Sequence, residues 1–263
     1  GSMWVRELAC IVYSVVRTSN SYQPGMSSTH ERFLSVPRGG ILYDAARLRK
    51  PDAAMFTRDY WRSRGALEEF AGGRGTVSLL HAEEGDWVLR HYRRGGFAAR
   101  VSDDSYLWTG ANATRSFREW RVLADLHQQG LPVPAPVAAY FERHGATYRA
   151  DIITARLQNA RTLAQVIEAE SLPASVWQRI GATIARFHAA GVHHADLNAN
   201  NIMLVESEIF LLDFDRGRVH ARGRWEADVI ARLKRSLDKL KSNNLRAHFD
   251  QDDWSALLAG VGN

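Results

Sequence analysis

The stretch that decides the fold is His194-Ala195-Asp196-Leu197-Asn198-Ala199-Asn200-Asn201, which is followed downstream by Asp213-Phe214-Asp215. These residues supply a carboxylate, an amide and a second carboxylate at the spacing that a phosphoryl-transfer site requires. We predict that Asp196 is the catalytic base, and that Asn201 and Asp213 bind ATP through Mg²⁺. The opposing interpretation, a polar loop and a turn between two strands, requires several specified residues to coincide by chance.

The elements around these motifs predict an α+β fold. Apolar spacing favours a helix before the catalytic loop and a small hairpin after it, and strand-like segments dominate the first half. We therefore expect a protein-kinase-like, two-lobed fold with a strand-rich N-lobe (36–153) and a reduced, mainly helical C-lobe (154–263). The predicted helices are 112–129 and 176–190, and the predicted strands are 76–80, 87–92, 138–141, 147–153, 202–205 and 209–212.

The beginning of the chain, residues 1–35, is rich in turn-forming residues and is predicted to be a poorly ordered leader. Gly1-Ser2 before Met3 is typical of an expression remnant, so this leader is expected to be partly non-native. Its apolar start is too short to span a bilayer, and no transmembrane segment is predicted. A single cysteine, Cys10, excludes an internal disulfide and favours a reducing compartment.

The net charge of +5 indicates an anionic partner. Composition alone leaves open whether that partner is nucleic acid, a membrane surface or a phosphorylated substrate. The sequence shows no interleaved aromatic and basic motif of the kind that binds nucleic acid, so we expect no nucleic-acid partner. The sequence implies no protein partner either.

Two further features predict the nucleotide half of the site. Gly73 and Gly75 flank Arg74 in a turn whose backbone N–H groups suit phosphate binding, although such a cluster is also typical of a plain hairpin turn. Arg90 stands where protein kinases carry a strand lysine, and we predict that it contacts phosphate with Glu119 as its partner. The alternatives are an exposed strand arginine and, for Glu119, a capping box with Ser116.

Three polar residues near the catalytic loop have competing interpretations. His193 and His194 suggest a metal site, but no further ligand cluster has zinc-like spacing, so His194 is expected to brace the loop. Asp215 replaces the glycine that usually follows Asp-Phe in protein kinases. It either joins the metal shell, orients a substrate hydroxyl or is a solvated loop residue.

The sequence after Asp213 addresses the acceptor. It is short and contains no Ala-Pro-Glu, so the docking platform of peptide kinases is missing and a small-molecule or sugar hydroxyl is the better acceptor. A basic amphipathic helix follows, which either meets an anionic membrane or packs its apolar face on the core. Its apolar positions are Ile230, Leu233, Leu237 and Leu240, and its cations are Arg232, Lys234, Arg235, Lys239 and Lys241.

With these residues assembled, the chain resembles the Kdo (3-deoxy-D-manno-octulosonic acid) kinase family from about Gly40 to Lys241. The most specific parts of the resemblance are 90–96 (Arg-His-Tyr-Arg-Arg-Gly-Gly) and 213–217 (Asp-Phe-Asp-Arg-Gly). The resemblance also rests on 41–44, 55–56, 60–61, 73–75, 88–89, 196–198, 201–202 and 232–237.

The resemblance implies ATP-dependent phosphorylation of the 4-hydroxyl of Kdo on a Kdo-lipid A precursor, in lipopolysaccharide core biosynthesis. It implies a peripheral protein on the cytoplasmic face of a Gram-negative inner membrane. The candidates for binding the Kdo carboxylate or lipid A phosphates are Arg93, Arg94, Arg216 and Arg218, and Asp215 is a further substrate-binding candidate. The alternatives are a lipopolysaccharide heptose kinase and a nucleotide-binding pseudokinase scaffold, and the retention of Asp196, Asn201 and Asp213 speaks against the scaffold.

Overall fold

The computed structural model describes residues 30–72, 75–93, 104–215, 217–219, 221 and 223–262. Most of the predicted leader lies outside these residues. Its last part does not behave as expected, because strand β1 occupies Glu31–Val36 and pairs with the next strand. The prediction of a poorly ordered leader up to residue 35 is therefore wrong for this strand. The strand is ordered because a two-residue turn joins it directly to the next strand, with which it pairs.

An antiparallel sheet dominates the first half of the described chain. Its strands run in the order β1-β2-β7-β8-β5-β4-β3, and the short β6 pairs with β8. The β3–β4 register pairs Gly72 with Gly75, which stand on either side of Gly73 and Arg74 in the sequence. The strands after β1 are β2 (Gly39–Asp44), β3 (Leu67–Gly72), β4 (Gly75–Ala82), β5 (Gly85–His91), β6 (Tyr106–Leu107), β7 (Pro136–His144) and β8 (Thr147–Ala155).

Alternation along β5 directs its side chains to two different faces of the sheet. Trp87 and Leu89 belong to a core cluster that is covered by a 3-10 helix, Ala53–Phe56, and by helix α1, Arg58–Arg62. On the other face lies helix α2, Arg115–Gln128, which belongs to the larger core. Arg90 points to this second face, where α2 can supply its partner.

The second half of the described chain is mainly helical. Its helices are α3 (Leu163–Ala169), α4 (Ala174–Ala189), α5 (Trp225–Asn243) and α6 (Gln251–Gly262), and its short strands are β9 (Arg161–Thr162), β10 (Val192–His193), β11 (Ile202–Val205), β12 (Glu208–Leu211) and β13 (Arg218–Val219). Helices α4 and α6 approach very closely. A Cβ on Gly181 would lie 2.0 Å from the Leu257 carbonyl oxygen, and one on Gly260 would lie 2.0 Å from that of Gln178. This crossing therefore requires glycine at both positions.

The structure confirms the predicted α+β class and places the predicted elements within a few residues of their expected bounds. The apolar face of α5 packs on the core: Leu233 and Leu237 are fully buried, and Val229 joins them. The core-packing interpretation of this helix is correct, because the half-buried Ile230 and Leu240 also pack against this core. No described helix is both long and apolar enough to span a bilayer.

Candidate active site

The centre of the candidate site is an ion pair between strand β5 and helix α2. Nη2 of Arg90 donates to both carboxylate oxygens of Glu119 at 2.5 Å, and the Glu119 side chain is only 2% exposed. The capping-box alternative for Glu119 is wrong. Helix α2 begins at Arg115, and the hydroxyl of Ser116 instead donates to the Tyr140 carbonyl at 2.9 Å.

Tyr92 contacts both members of this ion pair. Its hydroxyl donates to Glu119, and its ring lies 4.8 Å from the guanidinium carbon of Arg90. Burial, and then the charge of Glu119, raise the pKa of Tyr92 well above its ordinary value. Although burial opposes the charge on Arg90, the carboxylates of Glu119 and Asp213 raise its pKa. The tyrosine therefore stays protonated and the arginine stays charged.

Tyr92 was missed in the sequence. The signal was present, since Tyr92 follows Arg90 by two positions and so shares its face of the strand.

Asp213 reaches the same guanidinium from the other half of the molecule. Nη1 of Arg90 lies 3.0 Å from its carboxylate. The backbone of Asp213 has a φ of 66°, a left-handed conformation that costs a non-glycine residue roughly 1–2 kcal/mol. Such conformations concentrate at functional sites, where surrounding contacts enforce them. Arg90 thus joins the helix carboxylate and the predicted metal carboxylate into one charged cluster.

The catalytic loop is fastened to the segment that carries Asp213. The side-chain amide of Asn201 donates to the Asp196 carbonyl at 2.9 Å, and the Leu212 N–H donates to the Asn201 carbonyl at 2.9 Å. Because the amide nitrogen of Asn201 is engaged, its amide oxygen is the atom suited to a cation. These contacts bring Asp196, Asn201 and Asp213 together.

His194 braces the loop, as the sequence predicted. Its Nε2 donates to the Leu212 carbonyl at 2.7 Å, and its Nδ1 accepts the Asp196 N–H at 3.3 Å. Burial lowers the pKa of this imidazole, which favours the neutral form that such a pattern needs. With both ring nitrogens used in this way, His194 serves as a brace and not as a metal ligand.

Asn201 and Asp213 fit a divalent cation that shares its shell with phosphate. Both offer hard oxygen atoms, which suit Mg²⁺, and Mg²⁺ usually takes only one or two protein carboxylates beside phosphates and water. Among the described residues, no group of three or more His, Cys, Asp and Glu side chains could hold a metal ion. These two residues suit a Mg²⁺ ion whose remaining ligands are nucleotide oxygens and water.

Asp215 is tied to helix α2. Its carboxylate accepts from Nε of Arg115 at 2.7 Å and pairs with Nη2 of the same guanidinium, and its side chain is 9% exposed. The solvated-loop interpretation of Asp215 is therefore wrong. Arg115 also donates to the Tyr106 hydroxyl at 2.8 Å. The ion pair of Arg115 with Asp215 therefore links the segment that carries Asp213 to the strand-rich half. No pattern in the sequence indicated a role for Arg115.

The structure describes only some of the arginines predicted on the acceptor side. Arg93 follows β5 and lines a cavity of about 350 Å³ with Leu89, His91 and Asp151, on the sheet face opposite Arg90. The alternation of side chains along β5 accounts for this placement, and the acceptor role of Arg93 stays a prediction. Arg94, Arg216 and Gly73 lie outside the described residues. Gly75 begins β4, and the backbone of Arg218 pairs with His193.

Three of the five predicted cations of α5 contact other groups of the protein. Arg232 donates to the Asp196 carboxylate at 3.1 Å. Lys234 pairs with Asp238 at 2.5 Å, and Lys241 donates to two carbonyl groups beyond the helix. Arg235 and Lys239 are exposed. Only part of the predicted basic surface is therefore available to an external partner.

The fold and this site suit a phosphotransferase that acts on an alcohol group. Family comparison makes the class more specific, since the model of the lipopolysaccharide kinase (Kdo/WaaP) family matches residues 58–260. The chain therefore belongs to the lipopolysaccharide kinase (Kdo/WaaP) family.

Its relatives include two proteins named 3-deoxy-D-manno-octulosonic acid kinase. The chain is 48% identical to that of Xanthomonas campestris pv. campestris (strain B100) over 217 residues, covering 81% of this chain and 86% of the relative. It is 44% identical to that of Stenotrophomonas maltophilia (strain K279a) over 208 residues, covering 77% and 82%. A solved structure of WaaP in complex with acyl carrier protein aligns over 78% of this chain and 83% of that one, with a TM-score of 0.47 and 17% identity.

Proposed function

We propose that this protein transfers the γ-phosphoryl group of ATP to the 4-hydroxyl of Kdo on a Kdo-lipid A precursor, in lipopolysaccharide core biosynthesis. The observation that carries the catalytic part is the convergence on Arg90 of Glu119, 29 positions away, and Asp213, 123 positions away. The names of the relatives support Kdo as the acceptor sugar. The 4-hydroxyl and the lipid A precursor follow from the family resemblance.

This proposal assigns a task to each residue of the site. Asp196 accepts the proton of the attacking hydroxyl, and its loop is held in place by His194 and Asn201. Arg90 binds phosphate oxygens and is oriented by Glu119. Asn201 and Asp213 hold Mg²⁺, which when bound neutralises charge on the transferring phosphate.

The acceptor side is open enough for a sugar on a large carrier. The side chain of Asp196 is 59% exposed, so a hydroxyl on a bulky molecule can reach it without a rearrangement of the core. Most of the rate enhancement of phosphoryl transfer comes from positioning and electrostatics. An exposed base beside a rigid nucleotide cluster suits an acceptor that arrives from a membrane or from solution.

We further propose a peripheral location at the cytoplasmic face of the inner membrane. The support is the net charge of +5 and the exposed pair Arg235 and Lys239 on α5. Because the apolar face of that helix is buried, association would be electrostatic and would not insert the helix.

The decisive experiment incubates the purified protein with Mg-ATP and a Kdo-lipid A precursor. We expect the acceptor to gain the mass of one phosphate group, with the phosphate located at the 4-hydroxyl by NMR. A parallel reaction offers a heptosylated acceptor whose Kdo 4-hydroxyl is blocked. Phosphorylation of heptose alone would replace the proposal by the heptose kinase alternative. Nucleotide binding without transfer to either acceptor would favour the scaffold.

A further inference from the structure

We propose that Arg232 on α5 binds the carboxylate of the sugar-acid acceptor next to the catalytic base. This inference rests on the proposed function, because it names the group of the Kdo acceptor that the site recognises. Sequence reasoning placed Arg232 among the membrane-facing cations of the helix. The structure places its guanidinium beside Asp196 instead, with Nη1 3.1 Å from the carboxylate.

The contact is held in place by the packing of α5 against the catalytic loop. Four positions after Arg232, the hydroxyl of Ser236 accepts the backbone N–H of Ala199 at 3.2 Å. Leu233 and Leu237, which lie next to these residues in sequence, are fully buried. Residues four apart share one face of a helix, so Arg232 and Ser236 face the loop together. The helix thereby fixes the base of the arginine side chain while its guanidinium stays half exposed.

The geometry leaves most of this guanidinium available. An arginine offers five N–H donors in a planar fork that suits a carboxylate, and the described contact uses one of them. The side chains of Arg232 and Asp196 are 48% and 59% exposed, and ion pairs this open to solvent are weak. Arg232 can therefore bind a second carboxylate without the loss of a strong internal contact.

Charge explains why the acceptor needs this residue. A sugar acid that presents its hydroxyl to Asp196 brings one carboxylate close to another, and their repulsion opposes binding. A cation between them turns that repulsion into attraction. Arg90 contacts Glu119 and Asp213 and is assigned to the nucleotide phosphates in the proposed function, and Arg115 is bound by Asp215, so neither arginine is left for the sugar carboxylate.

The test compares Kdo with its carboxamide, in which the sugar is retained and the charge removed. For the wild-type protein we expect kcat/KM to be about 10- to 100-fold higher with the acid, as is typical when one charge-assisted hydrogen bond is lost. In Arg232→Gln this preference should fall to within about twofold, with the KM for ATP unchanged. Arg232→Lys should restore part of it. Arg246→Gln, which removes an exposed arginine beyond α5, is the matched control and should keep the full preference.

Three outcomes separate the possibilities. A wild-type protein that phosphorylates Kdo while Arg232→Gln keeps the full preference for the acid would overturn the inference alone. Equal losses on acid and carboxamide in Arg232→Gln would also overturn it, because Arg232 would then only position Asp196. A wild-type protein that phosphorylates neither acceptor, nor the lipid-linked form, would instead overturn the proposed function.

Discussion

Glu119 and Asp196 are carboxylates of the same candidate site, yet their surroundings are opposite. The side chain of Glu119 is 2% exposed and is held by Arg90 and Tyr92, whereas that of Asp196 is 59% exposed and contacts Arg232 at the surface. Removing a partner from a buried ion pair leaves an uncompensated charge and is costly, while exposed pairs contribute little. The nucleotide half is therefore rigid before any substrate binds, and the acceptor half can exchange partners.

This difference has a functional reason. Phosphate positioning depends on fixed charges, which act best when the surrounding groups need not reorganise. In the proposed function Asp196 is the base and meets a hydroxyl on a bulky acceptor, and an open position allows that. The comparison predicts that substitutions in the nucleotide half lower the activity on all acceptors alike. The effect of substitutions in the acceptor half should depend on the acceptor used.

The largest effect is expected from Asp213→Asn, which removes the carboxylate charge that contacts Arg90 and is proposed to hold Mg²⁺. The value of kcat should fall by about 10³- to 10⁵-fold on every acceptor, the range for one lost charge contact at a transferring phosphate. Calorimetry should also show that Mg²⁺ no longer strengthens nucleotide binding. Asp215→Asn is the matched control, and it should retain the Mg²⁺ dependence because its carboxylate serves Arg115. Unchanged Mg²⁺-dependent binding in Asp213→Asn would contradict the metal role.

Asp196→Asn tests the open carboxylate. Loss of a general base lowers kcat by about 10²- to 10⁴-fold. Because Asp196 lies outside the buried cluster, nucleotide affinity and the melting temperature should stay close to those of the wild type. Single-turnover kinetics, nucleotide titration and thermal unfolding together check this separation. A folded variant with near-normal turnover would show that another group takes the proton.

A smaller effect is expected from Arg90→Ala. The KM for ATP should rise by about 10- to 100-fold, since a charged hydrogen-bonding group to phosphate is lost, with little change in the KM for the acceptor. Unfolding free energy should also fall, because Glu119 is left buried without its cation.

Arg90→Lys sharpens this prediction. Lysine keeps the charge but lacks the fork that contacts Glu119 and Asp213 together, so we expect partial rescue only. Full rescue would mean that charge alone matters at this position. An unaltered ATP dependence in Arg90→Ala would reduce Arg90 to a structural residue.

The smallest effect is expected at the surface of α5. Neutralising Arg235 and Lys239 together should weaken binding to anionic vesicles several-fold at low salt, since each cation near such a surface contributes up to about 1 kcal/mol. Added salt should remove the difference, and activity on soluble Kdo should be unaffected. Arg232 is left intact in this test, because its contact with Asp196 would confuse membrane binding with catalysis.

The control for this vesicle experiment removes the same charge elsewhere. Arg49→Gln with Lys50→Gln changes two exposed cations that follow β2 and should leave vesicle binding nearly intact. Equal binding of the wild type to neutral and anionic vesicles would contradict the electrostatic proposal. An equal loss in the control would mean that net charge, and not α5, governs the association.

The sequence by itself determined the local features. Asp196, Asn201 and Asp213 lie within one short segment, and the helix and strand periods around them are local patterns that neighbouring residues dictate. The predicted brace, His194, also acts on atoms close to it in sequence: the Asp196 N–H and the Leu212 carbonyl. The partner of Arg90 was predicted because the resemblance to a kinase lobe specified which helix packs on which strand.

Only the tertiary structure decided which further charged residues join that site. Arg232 and Asp196 are 36 positions apart, and Arg115 and Asp215 are 100 apart, so no local pattern links them. The placement of Arg93 depended on the phase of β5 relative to the sheet, because one position along a strand exchanges its two faces. Charge and residue type can be read from the sequence, but contact between distant side chains follows from how helices and strands pack.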